Sequence, residues 1–523
     1  MHSQNKKNIL FSTLKMALAT FSSRILGLVR EQVMAALFGA SSVTDAFTVA
    51  YRVPNMLRDL FAEGAFSSAF VPVFTEVYQK DKKKARELMW ALFIILFTIT
   101  GLISALIILN ADFLITLVTN KDFYQDPNRF SKSVLMVKVM APFLTLVSLA
   151  ALMMGVLNTL KVFFIPSFAP AFFNISMILC MSLLPSFLKI RGLDISLSLA
   201  IGVIIGGLLQ LIVQVPLIIK KGFGPIIPKV IFSKDSKKVL NRVGIGTIGV
   251  AATQINILVT TILATGTGVG AVSWLTYSFR LFQFPVGIFG VSIAGSNLVH
   301  FSDKIKSNKL DEAREIFKTS LFFILFIMLP SAVFLIFYAE DCVRIIFERG
   351  AFSADATLKT SIALKYYALG LPFYGMYKLM GPVFFAIDKP KLPIFISMFS
   401  ILLNIIFCLL FISKWGYVTL AIGVSLSIFV NIFLQSIFIN KELKLGLKSF
   451  INLKIIKLVI SAIVTFYILK AWQFQAFEGS LLFQIFGLII EAIKTFLIYL
   501  ILLVGLGEWK SFSPIIKKLS KKF

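Results

Sequence analysis

Long apolar stretches dominate the chain, and its polar positions fall mostly in short clusters between them. Stretches of roughly 18 or more residues, enough for a helix to cross a hydrocarbon core, lie near 10–38, 43–78, 84–110, 132–160, 163–188 and 195–219. A second group lies near 238–265, 269–302, 314–339, 356–386, 391–413 and 416–440, and a final pair near 452–472 and 481–505. The pattern predicts an all-α polytopic membrane protein of about fourteen transmembrane helices. Loop charge tests the count independently, because cytoplasmic loops hold the excess of Lys and Arg. The even-numbered connections carry the basic clusters 80–86 (KDKKKAR), 220–242, 304–318 and 441–457, and the C-terminus adds Lys517, Lys518, Lys521 and Lys522. The alternate connections are poor in base or acidic, as in 265–271 and in 340–355 with Glu340, Asp341, Glu348 and Asp355. Both termini are therefore expected in the cytoplasm. The N-terminal run, interrupted by Arg24, Arg30 and Glu31, does not read as a cleavable signal, so it is expected to remain as the first helix.

Composition sharpens this picture. Among 523 residues, 58% are hydrophobic, and mean hydropathy is +0.89, far outside the soluble range. A formal charge of +27 raises the question of nucleic acid, but the lysines sit between apolar runs without a basic domain, so they act as topology signals. Cys180, Cys342 and Cys408 are scattered and lack metal-ligand spacing, which supports neither a disulfide framework nor a metal site. An internal repeat is visible: 153–177 resembles 379–405 in its Met-Gly, downstream prolines and later Asn, and Arg52 falls against Arg280 at nearly the same offset. The expected organisation is an N-terminal six-helix module (1–222), a C-terminal six-helix module (223–445), and two added helices with a basic tail (446–523). Six is even, so the modules should be related by an axis along the membrane normal.

The charges inside the predicted helices are the most informative feature. The first two contain Arg24, Arg30, Glu31, Asp45, Arg52, Arg58, Asp59 and Glu63, and the eighth contains Arg280. A charge at the bilayer centre costs roughly 2.5–3.5 kcal/mol on insertion scales, so these groups should face a watery cavity or one another. Asp45, Arg52 and Asp59 are spaced by seven and share a helix face, with Glu63 on the same stripe, which makes Arg52 the arginine most easily satisfied internally. Arg58 lies off that stripe beyond Pro54 and reads as the freer group. Arg24 and Glu31 are also seven apart, whereas Arg30 points elsewhere unless Gly27 lets the helix bend. Arg280 has Gln283, not an acid, three positions on, so it needs an anion from elsewhere. One reading has Arg24, Arg30, Arg58 and Arg280 converging on a phosphate-bearing substrate, for which guanidinium is suited by its permanent charge and bidentate donors. The other locks these arginines in interhelical salt bridges, and for Arg52 both stay open.

Other chemistry finds little support. The histidines are His2 and His300, and no HExxH, P-loop or Ser-His-Asp arrangement is legible, so no catalytic residues and no metal ligands are expected. The glycine-rich 266–270 (GTGVG) joins two membrane helices without a preceding strand and reads as a tight turn. Glu491 and Lys494, three apart, should form an ion pair.

The motifs SSRILGLVRE (22–31), LFGASSVTDAF (37–47), VPNMLRDLFAEGAFSSAFVP (53–72) and GVLNTLKVFFIPSFAPAFFNISM (155–177) resemble the MurJ (MviN) lipid II flippases. The resemblance continues through SWLTYSFRLFQFPVGIFGV (273–291) and ERGAFSADA (348–356) to Lys389-Pro390. It implies a member of the multidrug, oligosaccharidyl-lipid and polysaccharide exporter superfamily that carries lipid II, the undecaprenyl-diphosphate-linked peptidoglycan precursor, across the bacterial inner membrane. It also implies that the arginines of SSR, LVR, NMLR and YSFR, here Arg24, Arg30, Arg58 and Arg280, meet substrate, and that the final two helices form a groove for the lipid tail. Two positions depart from the family pattern: Asp59 replaces a commonly basic residue, and Gln283 stands where an acid can occur. A bridge from Gln283 is weaker than a carboxylate bridge, and local pairing is rearranged.

The expected function is thus a lipid II flippase working by alternating access, not an enzyme. Its carboxylates, such as Glu31 and Asp45, would compete for the arginines and aid release. No cofactor is expected. Coupling to membrane potential, worth about 2.3 kcal/mol per charge per 100 mV, or to a monovalent cation is left open. Expected partners are lipid II and membrane lipids, with room for cell-wall synthesis proteins and none for nucleic acid. The rivals are an exporter of another polyprenyl-linked saccharide or a drug, and a membrane enzyme acting on lipid-linked sugars. A cationic drug calls for cavity carboxylates rather than arginines, and an enzyme for paired acids or a His cluster at an outer loop.

Overall fold

A computed structural model describes residues 2–61, 65–446, 452–472 and 479–508, and the described residues are helical with no strand. Each of the fourteen predicted segments lies on helix, and eight of the described helices are long and apolar enough to cross a membrane by themselves. Several of the predicted runs are divided where the sequence supplies a breaker, while His2–Phe38, Lys234–Thr265 and Leu453–Ala471 each run as a single helix. The predicted 132–160 run is Pro127–Met140 followed by Phe143–Thr159, parted at Pro142. The 269–302 run is Ala271–Pro285, a π-helical stretch Val286–Gly290, and Val291–Lys306, because Pro285 lacks the N–H that would continue the ladder. The 356–386 run divides into Ala354–Leu369 and Leu371–Ala386 at Gly370-Leu371-Pro372. Over the predicted 43–78 segment the described residues form Ser42–Phe61 and Ala65–Lys80, and Glu63 lies outside the described residues.

Polar residues set the helix starts. Asp81 accepts from the backbone N–H of Lys83 (2.8 Å) and Lys84 (3.2 Å) ahead of Lys82–Leu109, satisfying donors that helix geometry orphans. Asp126 does the same for Pro127–Met140, with Pro127 at the first turn, where its missing N–H costs nothing. Three short helices between the spans, Ala111–Leu117, Lys121–Tyr124 and Ala339–Phe347, are too brief for an apolar-run count to register.

The chain packs as two compact units, residues 1–273 with 349–353, and 274–348 with 354–523. In the first, Phe66, Phe70 and Phe74 form a ladder at 5.4 and 4.9 Å on Ala65–Lys80, buried against Lys82–Leu109, Phe143–Thr159 and Lys234–Thr265. In the second, Leu310–Phe337 is the central post. It meets Ala354–Leu369, Leu371–Ala386 and both helices of the final pair, Leu453–Ala471 and Leu481–Gly505. Ring contacts fix that pair in place: Phe326 meets Phe496 at 5.5 Å and Tyr499 at 5.9 Å, and Phe337 meets Phe466 at 6.2 Å. Outward faces carry Phe and Leu in quantity, such as Phe97, Leu183 and Phe486. In water such apolar exposure would be costly, whereas lipid accepts it.

Candidate functional site

In the first unit, helix His2–Phe38 carries Arg24, exposed, and Arg30, partly buried. The Arg30 guanidinium lies 2.5 Å from Glu31 Oε1 and 5.7 Å over the Phe173 ring. Glu31 is buried, and its carboxylate is paired with its sequence neighbour. Beside Arg24, Asn174 donates to the Ser23 carbonyl at 3.1 Å and ties Phe164–Ile190 to this stretch.

On Ser42–Phe61 the predicted acidic stripe is occupied differently. Asp59 accepts from Arg58 Nη2 (2.8 Å) and Nε (3.2 Å), and its other oxygen accepts from Gln254 Nε2 at 3.0 Å. Arg58 is thus paired with its sequence neighbour. The Arg58 and Asp59 side chains each keep 24% of their surface, so the pair stays accessible. Asp45, at the other end of the stripe, is 1% exposed and accepts three bonds from the start of Ala271–Pro285: Gly270 N–H (2.6 Å), Ser273 N–H (3.0 Å) and Ser273 Oγ (2.7 Å). The carboxylate fills the positive end of a helix, where anions are favoured. Arg52, between them in sequence, is partly buried.

Near Asp45 several interhelical connections meet. The Ala351 N–H donates to the Ala36 carbonyl at 2.8 Å. Gly39 and Gly350 both adopt positive φ (66° and 58°) and face this contact reciprocally: a Cβ on Gly39 would overlap the Ala351 carbonyl, and one on Gly350 the Ala36 carbonyl. Nearby, Asn120 N–H donates to Thr265 Oγ1 at 2.8 Å, and Arg129 donates to Asp126 (2.8 Å) and to the Asp122 carbonyl (3.2 Å) while covering Phe123. Burial works against the Asp126 carboxylate, but the Arg129 side chain and the Arg129 and Asn128 amides outweigh it and hold its pKa below the usual range. Sequence reasoning passed over Arg129, Gly270 and Ser273. The glycine turn was legible as a turn, yet nothing local marks its N–H as a ligand for a carboxylate 225 residues away.

In the second unit, Arg280 and Gln283 lie three apart on Ala271–Pro285, and both are exposed. The helix is fixed by its opposite face, where Phe282 packs against Tyr367 (5.8 Å) and Tyr374 (5.0 Å). The predicted Glu491–Lys494 pair is present at 2.5 Å. Tyr338 donates to the same carboxylate, which is buried, so the final helix pair is joined to the central post through a polar cluster.

The described residues are arranged as an all-helical multi-pass protein with arginines accessible on its helices, a fold that solved transporters share. An inward-facing multidrug resistance MATE family transporter of the MOP superfamily aligns at TM-score 0.67 over 81% of this chain and 94% of its own, at 12% identity, a likeness of fold. The family model described as lipid II flippase MurJ matches residues 34–487, and the chain belongs to that family. It is 31% identical over 496 residues to a probable lipid II flippase MurJ of Buchnera aphidicola subsp. Acyrthosiphon pisum, covering 93% of this chain and 96% of the relative. Identity to the corresponding Vibrio cholerae protein is 33% over 434 residues, 81% of this chain and 82% of that one. A solved structure titled lipid II flippase MurJ, inward closed conformation, aligns at TM-score 0.76 and 27% identity over 92% of this chain and 97% of its own.

Proposed function

We propose that this chain moves lipid II from the cytoplasmic to the periplasmic leaflet of the bacterial inner membrane by alternating access, with both termini in the cytoplasm. The observation that carries the reading is the family match over residues 34–487. The arginines support it chemically. Arg24 and Arg280 are exposed on helices that must otherwise sit in lipid, and Arg30 and Arg58 are held by Glu31 and Asp59 at 2.5 and 2.8 Å. A diphosphate offers each guanidinium a bidentate partner in place of a carboxylate. Glu31 and Asp59 are positioned to take their arginines back, so the head group is held reversibly. The basic loops support the sidedness. Membrane potential or a monovalent cation would supply the driving force, and cell-wall synthesis enzymes are the natural neighbours of such an exporter.

The test is to replace the flippase of a depleted bacterium with this chain and measure lipid II cleaved by an agent added outside. Restored cleavage is expected. Lipid II that stays protected while the chain is present in the membrane would overturn the assignment.

A further inference from the structure

The connection between Leu197–Ile212 and Lys234–Thr265 is not a slack loop. Its first half is tied down: Gly222 reverses the chain at φ 86°, Phe223 is buried against Phe74 (5.8 Å) and Tyr78 (6.0 Å), and the carbonyls that follow are captured by side chains. Arg86 donates to Gly224 O (2.8 Å) and Pro225 O (3.2 Å), and Trp90 Nε1 donates to Gly224 O at 2.9 Å. Its second half is tied by Ser236, whose hydroxyl donates to the Ile231 carbonyl at 2.9 Å, and by Ser233, which caps the next helix. Pro225 and Pro228 deny the segment between these ties a helix.

A segment held this firmly could turn its apolar residues inward, yet beyond Phe223 only Pro228 is buried. Ile227 is 94% exposed, and Val230 and Phe232 are exposed at 60% and 61%. Exposed lysines surround them: Lys220, Lys221 and Lys229 in the connection, Lys234 and Lys237 at the next helix start, and Lys82, Lys83 and Lys84 on the helix that anchors it. The local acids are few, and Glu76 is already occupied by Lys80 (3.0 Å) and Lys238 (3.1 Å). Apolar side chains displayed beside a lysine cluster, at the end of membrane helices, match the chemistry of a head-group layer: an apolar side chain enters the acyl boundary while ammonium groups meet lipid phosphates.

We propose that residues 227–232 form an interfacial anchor that inserts Ile227, Val230 and Phe232 into the adjoining leaflet and is held there by anionic phospholipid. The anchor fixes the depth at which the connection sits and is separate from the arginines assigned to substrate.

Ile227→Cys, labelled with an environment-sensitive fluorophore, reads it out in full-length protein. The native cysteines are all buried. Discs of phosphatidylcholine alone are compared with discs that also contain phosphatidylglycerol. The expected result is blue-shifted emission, quenching by nitroxide lipid and protection from an aqueous quencher, all stronger with phosphatidylglycerol. Replacing Lys220, Lys221 and Lys229 by Gln should weaken the anionic-lipid preference about fivefold per lysine. Full access of the aqueous quencher in both discs, with no quenching by nitroxide lipid, would overturn the anchor. Burial that ignores phosphatidylglycerol and the lysine replacements would overturn the anionic-lipid assignment. The same labels read on a transport-inactive arginine variant keep this outcome apart from failure of the flippase reading.

Discussion

Asp45→Asn is a sharp perturbation, because it changes one carboxylate oxygen to an amide while keeping side-chain volume. In the native protein the two oxygens receive Gly270 N–H at 2.6 Å, Ser273 N–H at 3.0 Å and Ser273 Oγ at 2.7 Å, in a site 1% exposed. Asn retains one acceptor oxygen, so either the Gly270 side or the Ser273 side then faces an NH2 group. One buried donor is orphaned, at about 1–3 kcal/mol, and the surviving bonds fall from the charge-assisted range of about 1.5–3 kcal/mol towards 0.5–1.5. Loss of negative charge at a helix start adds about 0.3–1 kcal/mol. Desolvation of the native carboxylate offsets part of this, so a net loss of about 2–4 kcal/mol is expected for Asn. Asp45→Ala, which orphans all three donors, should lose more. The assay is thermal unfolding in discs at one fixed scan rate, followed by near-ultraviolet dichroism. Ser273→Ala and the double variant complete a cycle, and a coupling of about 1–2 kcal/mol is expected. Wild-type stability for Asp45→Ala, or strict additivity in the cycle, would refute the account of this contact.

Gly350→Ala should destabilise by about 1–3 kcal/mol, read as a lower unfolding temperature, because the position combines φ 58° with a Cβ that overlaps the Ala36 carbonyl; Gly192→Ala, at φ 68° but in open space, is the control and should cost less. Glu491→Ala leaves Tyr338 and Lys494 without their shared carboxylate and should cost about 3–5 kcal/mol, whereas Glu491→Ala with Lys494→Met should recover much of it, as measured by the same unfolding assay. Asp126, whose pKa is held low in the folded protein, contributes stability present above its unfolded value of about 3.9 and lost as pH falls through the lower folded value. Arg129→Met should flatten that acid limb of the unfolding profile, and an unchanged limb would rule out the pair as its source.

Apolar run length made the long helices legible, eight of them long and apolar enough to cross a membrane, because the requirement to span about 30 Å of hydrocarbon leaves few other readings. The breaks inside them were less so: Pro142, Pro285 and Pro372 are visible as letters, but whether a proline kinks a helix or parts it is settled by the packing around it. Local ion pairing was half legible. Glu491 and Lys494 pair as their spacing suggested, while the heptad stripe of Asp45, Arg52 and Asp59 gave its acids to Ser273, Gly270, Arg58 and Gln254. Spacing fixes which residues share a face and says nothing of which distant donor arrives there. Asp59 illustrates the limit: its departure from the family pattern was plain in the sequence, and its partner Gln254, 195 residues on, was not.

The most direct test of lipid II transport uses purified protein in vesicles carrying fluorescent lipid II, with chemical bleaching of the outer leaflet as the readout. Wild-type protein should expose inner-leaflet lipid II well above the rate of empty vesicles, and Arg24→Ala, Arg58→Ala and Arg280→Ala should each abolish the gain while folded protein is retained. Bleaching at the empty-vesicle rate with wild-type protein would contradict the account, and so would undiminished bleaching with all three arginine variants.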